Sequence, residues 1–239
     1  MKIHCIRHEP FEGLACIESW ITANKYNVNF TYSYLSQTLP VEDDFDMLII
    51  MGGSASVYDS LKESWLLNEM RIIEQCIKNN KLVLGICLGS QIIAQVLGSR
   101  VYKGEEPEIG WFPVNFCKTE HPSMHFLPES MTTFHWHGDT YDLPAGSVRL
   151  ASSELTLNQG FIYEENVIGL QFHPETTPES LKKIIKGTGW KLSEDSKYMQ
   201  TAQNMRNQLH HIDQNIRFTY QLLDFFTRSR LLASKKKRA

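Results

Sequence analysis

Residues 46–51 (DMLIIM) and 82–86 (LVLGI) are apolar at nearly every position rather than at alternate ones. A strand with that composition has to be covered on both faces, as in a parallel sheet flanked by helices. Between the two, Trp65, Leu66, Met70, Ile73 and Ile77 fall on one helical face in residues 64–80, a stretch that stops at Asn79-Asn80. Upstream, residues 2–7 read as a strand, 14–24 as a helix and 28–32 as a second strand. Strand and helix in alternation predict a doubly wound, mostly parallel α/β sheet with helices on both faces, whose ligands bind at the carboxyl ends of the strands. The loops after Met51 and after Ile86 lie at such ends.

Beyond residue 101 the pattern changes to short strand-like pieces broken by Gly and Pro, at 111–116, 131–135, 148–152, 160–163 and 167–172. They predict an antiparallel or mixed addition to the sheet. Helical periodicity returns at 180–185, and Met205, Leu209, Ile212, Ile216, Tyr220 and Leu223 trace a longer amphipathic stripe before a basic tail at 235–238. No Pro/Gly/Ser-rich linker interrupts the chain, so one main domain is the default. A net charge of -3 over 239 residues gives no electrostatic reason to expect a nucleic-acid or membrane partner. The five cysteines are odd in number, widely spaced and form no CxxC pair, which argues against a disulfide framework or zinc knuckle. With no apolar leader at MKIHCIRHEP and no run approaching a membrane span, a reducing cytoplasm is the expected location.

That compartment leaves a thiol available, and Cys87 has the context of a nucleophile. A buried strand runs into Gly85-Ile86-Cys87-Leu88-Gly89 and straight into a helical pattern, the logic of a tight strand-to-helix turn in which small neighbours let one side chain protrude. The positive end of the following helix would lower the thiol pKa, and its first amides would face a developing oxyanion. A thiol nucleophile needs a base, and the base needs an orienting group. Residues 169–175 (GLQFHPE) supply His173 and Glu175, although His-x-Glu alone is a weak signal.

Taken together, LGICLGSQ at 84–91, LQFHPE at 170–175 and MGGSASVYD at 51–59 resemble the class I glutamine amidotransferases. The resemblance covers about residues 42–186 and implies a flavodoxin-like fold. It assigns Cys87, His173 and Glu175 as the catalytic set, the amides of Gly53 and Leu88 as the oxyanion hole, and Gln91, Trp136, His137, Gly138 and Asp139 as substrate contacts. No metal or organic cofactor is required by this chemistry. His135 and His137 have the spacing of metal ligands on a strand, but no third ligand is evident nearby in the sequence. EIGW at 108–111, HWHGDT at 135–140 and NQGF at 158–161 are most similar to the free-standing branch related to the amidotransferase domain of GMP synthase. Ser54-Ala55 and Ser90 depart from residues common in the family, Pro-Met and Ala, without removing a catalytic group.

The implied reaction cleaves the side-chain amide of glutamine through a cysteinyl γ-glutamyl thioester, releasing ammonia to water or to an unknown synthase partner. The alternatives are a γ-glutamyl peptidase and a non-catalytic regulatory protein of the same fold. A related family of α/β cysteine peptidases and chaperones places its histidine differently. Residues 1–186 form the expected amidotransferase-like domain. Residues 187–239 form a helical extension packed on or beside it, for docking, homo-oligomerisation or covering the core.

Overall fold

A computed structural model describes residues 1–59, 62–117, 126–188 and 196–236, with side chains described as far as Arg228. Among the described residues nine strands form one sheet: β1 (Lys2–Arg7), β2 (Asn27–Tyr32), β3 (Met47–Ile50), β4 (Leu82–Ile86), β5 (Val101–Phe116), β6 (Ser130–Tyr141), β7 (Ser147–Ser152), β8 (Gly160–Tyr163) and β9 (Val167–Leu170). Their order is β2-β1-β3-β4-β9-β8-β7-β5-β6. The first five are mutually parallel and the last four continue the same sheet with antiparallel pairings. Chain direction around the sheet reverses between β1 and β3, the kind of position where doubly wound sheets open a ligand crevice.

The unbroken apolar strands are explained by two cores. Met47 and Ile49 of β3 and Leu82 and Leu84 of β4 face one core, which is closed by α1 (Cys16–Ala23) through Ile17, Trp20 and Ile21. Leu48, Ile50 and Val83 face the opposite core, closed by α2 (Ser64–Lys78) through Leu66, Ile72 and Ile73, and by α3 (Leu88–Val96) through Leu88, Ile92 and Ile93. Each such side chain, fully buried, stabilises the fold by roughly 1.5–3 kcal/mol. A third cluster packs Ile109, Trp111, Phe134 and Trp136 of β5 and β6 against α4 (Pro178–Gly187) and α5 (Ala202–Arg206).

Strand β5 is longer than its sequence pattern predicts. It starts at Val101 rather than 111, because Gly104 and Pro107 sit at a register shift between Lys103 and Glu108 instead of ending the strand. The C-terminal stripe is not one helix. It breaks into α5, a 3-10 turn at Leu209–His211 and α6 (Ile212–Lys236), with the Thr201 side chain capping α5. The basic tail at 235–238 falls outside the described side chains, and its last residues lie outside the described chain altogether. No described helix is long and apolar enough to cross a membrane.

Residues 198–200 fill the open side of β5 where β7 does not reach. Ile109 N–H donates to Tyr198 O and Gln200 N–H to Ile109 O, each at 2.8 Å, and the Gln200 side chain bonds both backbone groups of Trp111. Helix α6 joins the first core through Phe218, Leu222, Leu223 and Phe226, while Asp224 accepts from Trp20 Nε1 at 2.9 Å. Truncating Phe226 to Ala should therefore remove roughly 3–5 kcal/mol and lower the Tm by on the order of 10 °C. A Tm within a degree of wild type would mean that α6 melts independently of the sheet.

Candidate active site

Cys87 lies between β4 and α3 with φ 51° and ψ -108°, a left-handed backbone conformation. Such a conformation costs on the order of 1–3 kcal/mol in a non-glycine residue and survives only when its surroundings enforce it. Here they do. A Cβ at position 85 would sit 2.5 Å from the Gly89 carbonyl carbon, and one at 89 would run into the Ile50 carbonyl oxygen, so only glycine lets α3 start this close to β3 and β4. The Cys87 N–H donates to Leu170 O at 2.7 Å, tying the turn to β9, and the Leu88 amide faces the Cys87 sulfur.

Leu170 ends β9, and the chain continues to His173, whose N–H donates to Phe134 O of β6 at 2.7 Å. The imidazole interacts directly with the Cys87 thiol, and its Nδ1 is 2.8 Å from Glu175 Oε1. Three further bonds hold this turn: Thr176 Oγ1 donates to His173 O, Cys16 N–H to Glu175 O, and Thr219 Oγ1 of α6 to Pro174 O. Thr177 and Ser180 then form a capping box that starts α4 at Pro178. The three residues that the sequence singles out, far apart along the chain, thus converge in one buried cluster, all 5% exposed or less.

Burial pushes the His173 imidazole toward its neutral form, but Glu175 and Cys87 more than reverse this and hold its pKa well above the ordinary value. The thiol behaves differently from the expectation drawn from the helix start. Burial is the largest influence on Cys87 and raises its pKa, with His173 and the Leu88 amide only partly opposing it. Burial thus favours the thiol form of Cys87, and His173 beside it favours the thiolate. Glu12, which no sequence motif marks, lies against Gly52 and near His173 with Oε2 buried and unpaired; burial raises its pKa.

Cys87 opens into a cleft of about 390 Å³. Gly53 lines it, and the Gly53 amide has no acceptor among the described residues. Trp136, His137, Gly138 and Asp139 form the facing wall at the end of β6. Gln91 is buried rather than solvated: it donates to Gln171 Oε1 at 3.1 Å, and Gln171 in turn donates to Cys87 Sγ at 3.6 Å. The Asp139 carboxylate accepts from Ser56 Oγ at 2.8 Å and Tyr58 OH at 3.3 Å, which fixes its oxygens away from free rotation. All the residues expected at the site are therefore brought to one cleft or its immediate wall. His8, Glu9 and Glu12 join them although no sequence signal points to them, and so does Gln171, which lies inside the LQFHPE segment without a role assigned by the resemblance. Three of those four come from the β1 exit loop, where HEPFEG shows only surface-like polarity until β3 is placed beside it.

The third partner that His135 and His137 lack in the sequence is Glu108. It stands directly across from His137 in the β5–β6 register, and one ligand-type atom from each of the three lies within 4.8 Å of the others. The carboxylate is already engaged, however. Ser153 Oγ donates to Oε1 at 2.6 Å, Gln159 Nε2 donates to Oε2 at 2.7 Å, and His137 Nε2 stands 3.3 Å from Oε2. Burial raises the Glu108 pKa, but these partners outweigh it and hold the group down at about 2, while burial lowers His135 to about 3. Hydrogen bonding satisfies this carboxylate without an ion.

The profile of the family described as Glutamine amidotransferase class-I matches residues 17–191. The chain is 30% identical over 214 residues to the glutamine amidotransferase-like protein YfeJ of Salmonella typhimurium, a match covering 86% of this chain and 90% of that one. It is 36% identical over 141 residues to the glutamine-hydrolyzing GMP synthase subunit of Sulfurisphaera tokodaii, covering 57% of this chain and 71% of the other. Among solved structures, a glutamine amidotransferase from Thermotoga maritima superposes with a TM-score of 0.85 at 29% identity, covering 95% of this chain and 97% of the other. The profile spans well over half of the residues, and the match to YfeJ runs nearly end to end in both proteins: this chain belongs to the class I glutamine amidotransferase family.

Proposed function

We propose that the protein hydrolyses the side-chain amide of glutamine through a Cys87 γ-glutamyl thioester, releasing ammonia. The observation that carries this reading is the His173 imidazole, held on one side by Glu175 at 2.8 Å and in contact with the Cys87 thiol on the other. With Nδ1–H donating to Glu175, Nε2 faces the sulfur and holds the one proton the pair shares as sulfur bonds to the amide carbon. The tetrahedral oxygen takes up negative charge toward the Gly53 and Leu88 amides, each worth roughly 3 kcal/mol if typical of such donors. The imidazolium returns its proton to the departing nitrogen, and ammonia leaves. His173 next takes a proton from water as it attacks the thioester, and glutamate departs with the thiol restored. Gln91, Trp136, His137, Gly138 and Asp139 hold the amino-acid end. The glutamine-hydrolyzing relative supports glutamine as the donor, and a separate synthase as acceptor of the ammonia. Five free cysteines support a reducing compartment such as the cytoplasm. The extension at 187–239 has a bracing role in this scheme, through Thr219 on the Pro174 carbonyl.

A second reading, cleavage of γ-glutamyl compounds, is favoured by Lys103 on the cleft rim, a cation suited to an anionic leaving end. Ammonia release from glutamine, compared with amino-acid release from γ-glutamyl dipeptides, separates the two. In either case Cys87→Ala should lose turnover by at least about 10⁴-fold and fail to react with a glutamine-like diazo-ketone that labels wild type. Equal labelling of the two proteins removes Cys87 as the nucleophile.

Because Glu175 raises the His173 pKa, their pairing stabilises the folded chain fully below the ordinary histidine value of about 6.5 and fades as pH rises through the raised folded value. Glu175→Gln should shift the His173 titration, followed by histidine NMR, to lower pH. An unmoved midpoint contradicts the assigned partnership.

A further inference from the structure

The loop leaving β1 grips the turn after β3 from behind. His8 is buried, with Nδ1 at 3.1 Å from Met51 O and 3.2 Å from Gly52 O, and Nε2 at 2.9 Å from Glu69 Oε2 of α2. The other Glu69 oxygen accepts from Ser33 Oγ at 2.6 Å. Carbonyl oxygens cannot donate, so Nδ1 carries a hydrogen, while Nε2 faces a carboxylate oxygen. Acceptors on both ring nitrogens favour the imidazolium. The charged groups around it are Glu69 from α2 and Glu12 from its own loop. Trp65 of α2 contributes a ring edge with centroids 5.8 Å apart, and the β3 turn presents only carbonyls. Burial lowers its pKa, but Glu69, the Gly52 carbonyl and Glu12 together raise it above the ordinary value.

One of the two carbonyls that His8 Nδ1 reaches, Gly52 O, belongs to the peptide whose N–H is that of Gly53. The Gly52–Gly53 peptide, like every other among the described residues, is trans, so this N–H points away from the carbonyl and from His8. Gly53 borders the cleft beside Cys87, and a side chain there would strike His8 Cβ at 2.7 Å and Leu88 Cδ2 at 2.8 Å, so the turn is sandwiched between the two. A cationic donor on a carbonyl draws electron density from the peptide and strengthens its N–H as a donor.

We propose that His8, held protonated by Glu69, is a positioning residue that aims and polarises the Gly52–Gly53 peptide toward the anionic oxygen of the tetrahedral intermediate. This rests on the glutaminase reading above and adds the group that sets the strength of one oxyanion donor. His8 never touches substrate. Its effect is made only where charge develops, so it belongs in kcat rather than KM.

Three measurements on the full chain test it. Histidine NMR of the wild type at pH 7 should show hydrogens on both His8 nitrogens; a bare nitrogen overturns the proposal whether or not the protein turns over glutamine. His8→Asn keeps a neutral donor for the carbonyl but loses the charge, and should lower kcat about 10-fold, short of the 10²–10³ expected for losing a donor outright, with KM within about twofold. It should also flatten the alkaline fall in kcat, which in wild type follows loss of the His8 proton as pH rises through its raised value. If His8→Asn does not fold, Glu69→Gln replaces it: removing the carboxylate should move that alkaline fall to lower pH. A folded variant with unchanged kcat and an unchanged pH profile overturns the proposal. A wild type that shows the doubly protonated His8 but no hydrolysis of glutamine or γ-glutamyl compounds rejects the glutaminase reading, and with it the role given to His8.

Discussion

The backbone of Cys87 is the constraint on which the rest of the site depends. A left-handed residue between a strand and a helix is unfavourable, and the fold enforces it by contact on three sides: the Ile50 carbonyl against Gly89, the Gly89 backbone against Gly85, and the Leu170 carbonyl on the Cys87 amide. Each comes from a different neighbouring strand or the helix itself, so the turn is anchored to the centre of the parallel sheet. Strain at this residue is offset by the burial of β3, β4 and α3, which also directs the thiol into the cleft.

The histidine arm is built by a different route. His173 is carried past the end of β9 and pinned to β6, a strand of the antiparallel half, so the thiol and imidazole meet where the two halves of the sheet adjoin. Its orientation is held from outside the sheet as well, since Cys16 of α1 binds the Glu175 backbone and Thr219 of α6 binds Pro174. The C-terminal helix therefore reaches the chemistry through one hydroxyl and the core through four large side chains. On the other side, His8 and Glu9 of the β1 loop hold the turn after β3, Glu9 by bonds to the Ser54 amide and hydroxyl.

Much of this is legible in the sequence because the relevant signals are local. Unbroken apolar runs report burial on both faces, and glycines at 85 and 89 report close approach of backbone. The parts that are not legible depend on register. Glu108 meets His137 only because β5 and β6 pair with those residues opposite, and no spacing in the chain encodes that. Gly104 and Pro107 look like a strand end, yet the sheet absorbs them in a bulge. Met205 to Leu223 keeps helical periodicity across a break, because both pieces lay their apolar residues on the same sheet. The thiol pKa departs from expectation for a related reason: the helix start is visible in sequence, whereas the depth of burial that outweighs it is a property of the assembled core.

That depth has a consequence for the lifetime of the protein. Oxidation of cysteine by peroxide requires thiolate and access, and Cys87, 5% exposed with its pKa raised by burial, offers little of either in the resting state. The sulfur placed at the centre of the candidate site is therefore among those best protected from adventitious oxidants. By the same measure Cys117, the one cysteine that is not fully buried, is the first that an oxidising environment should modify.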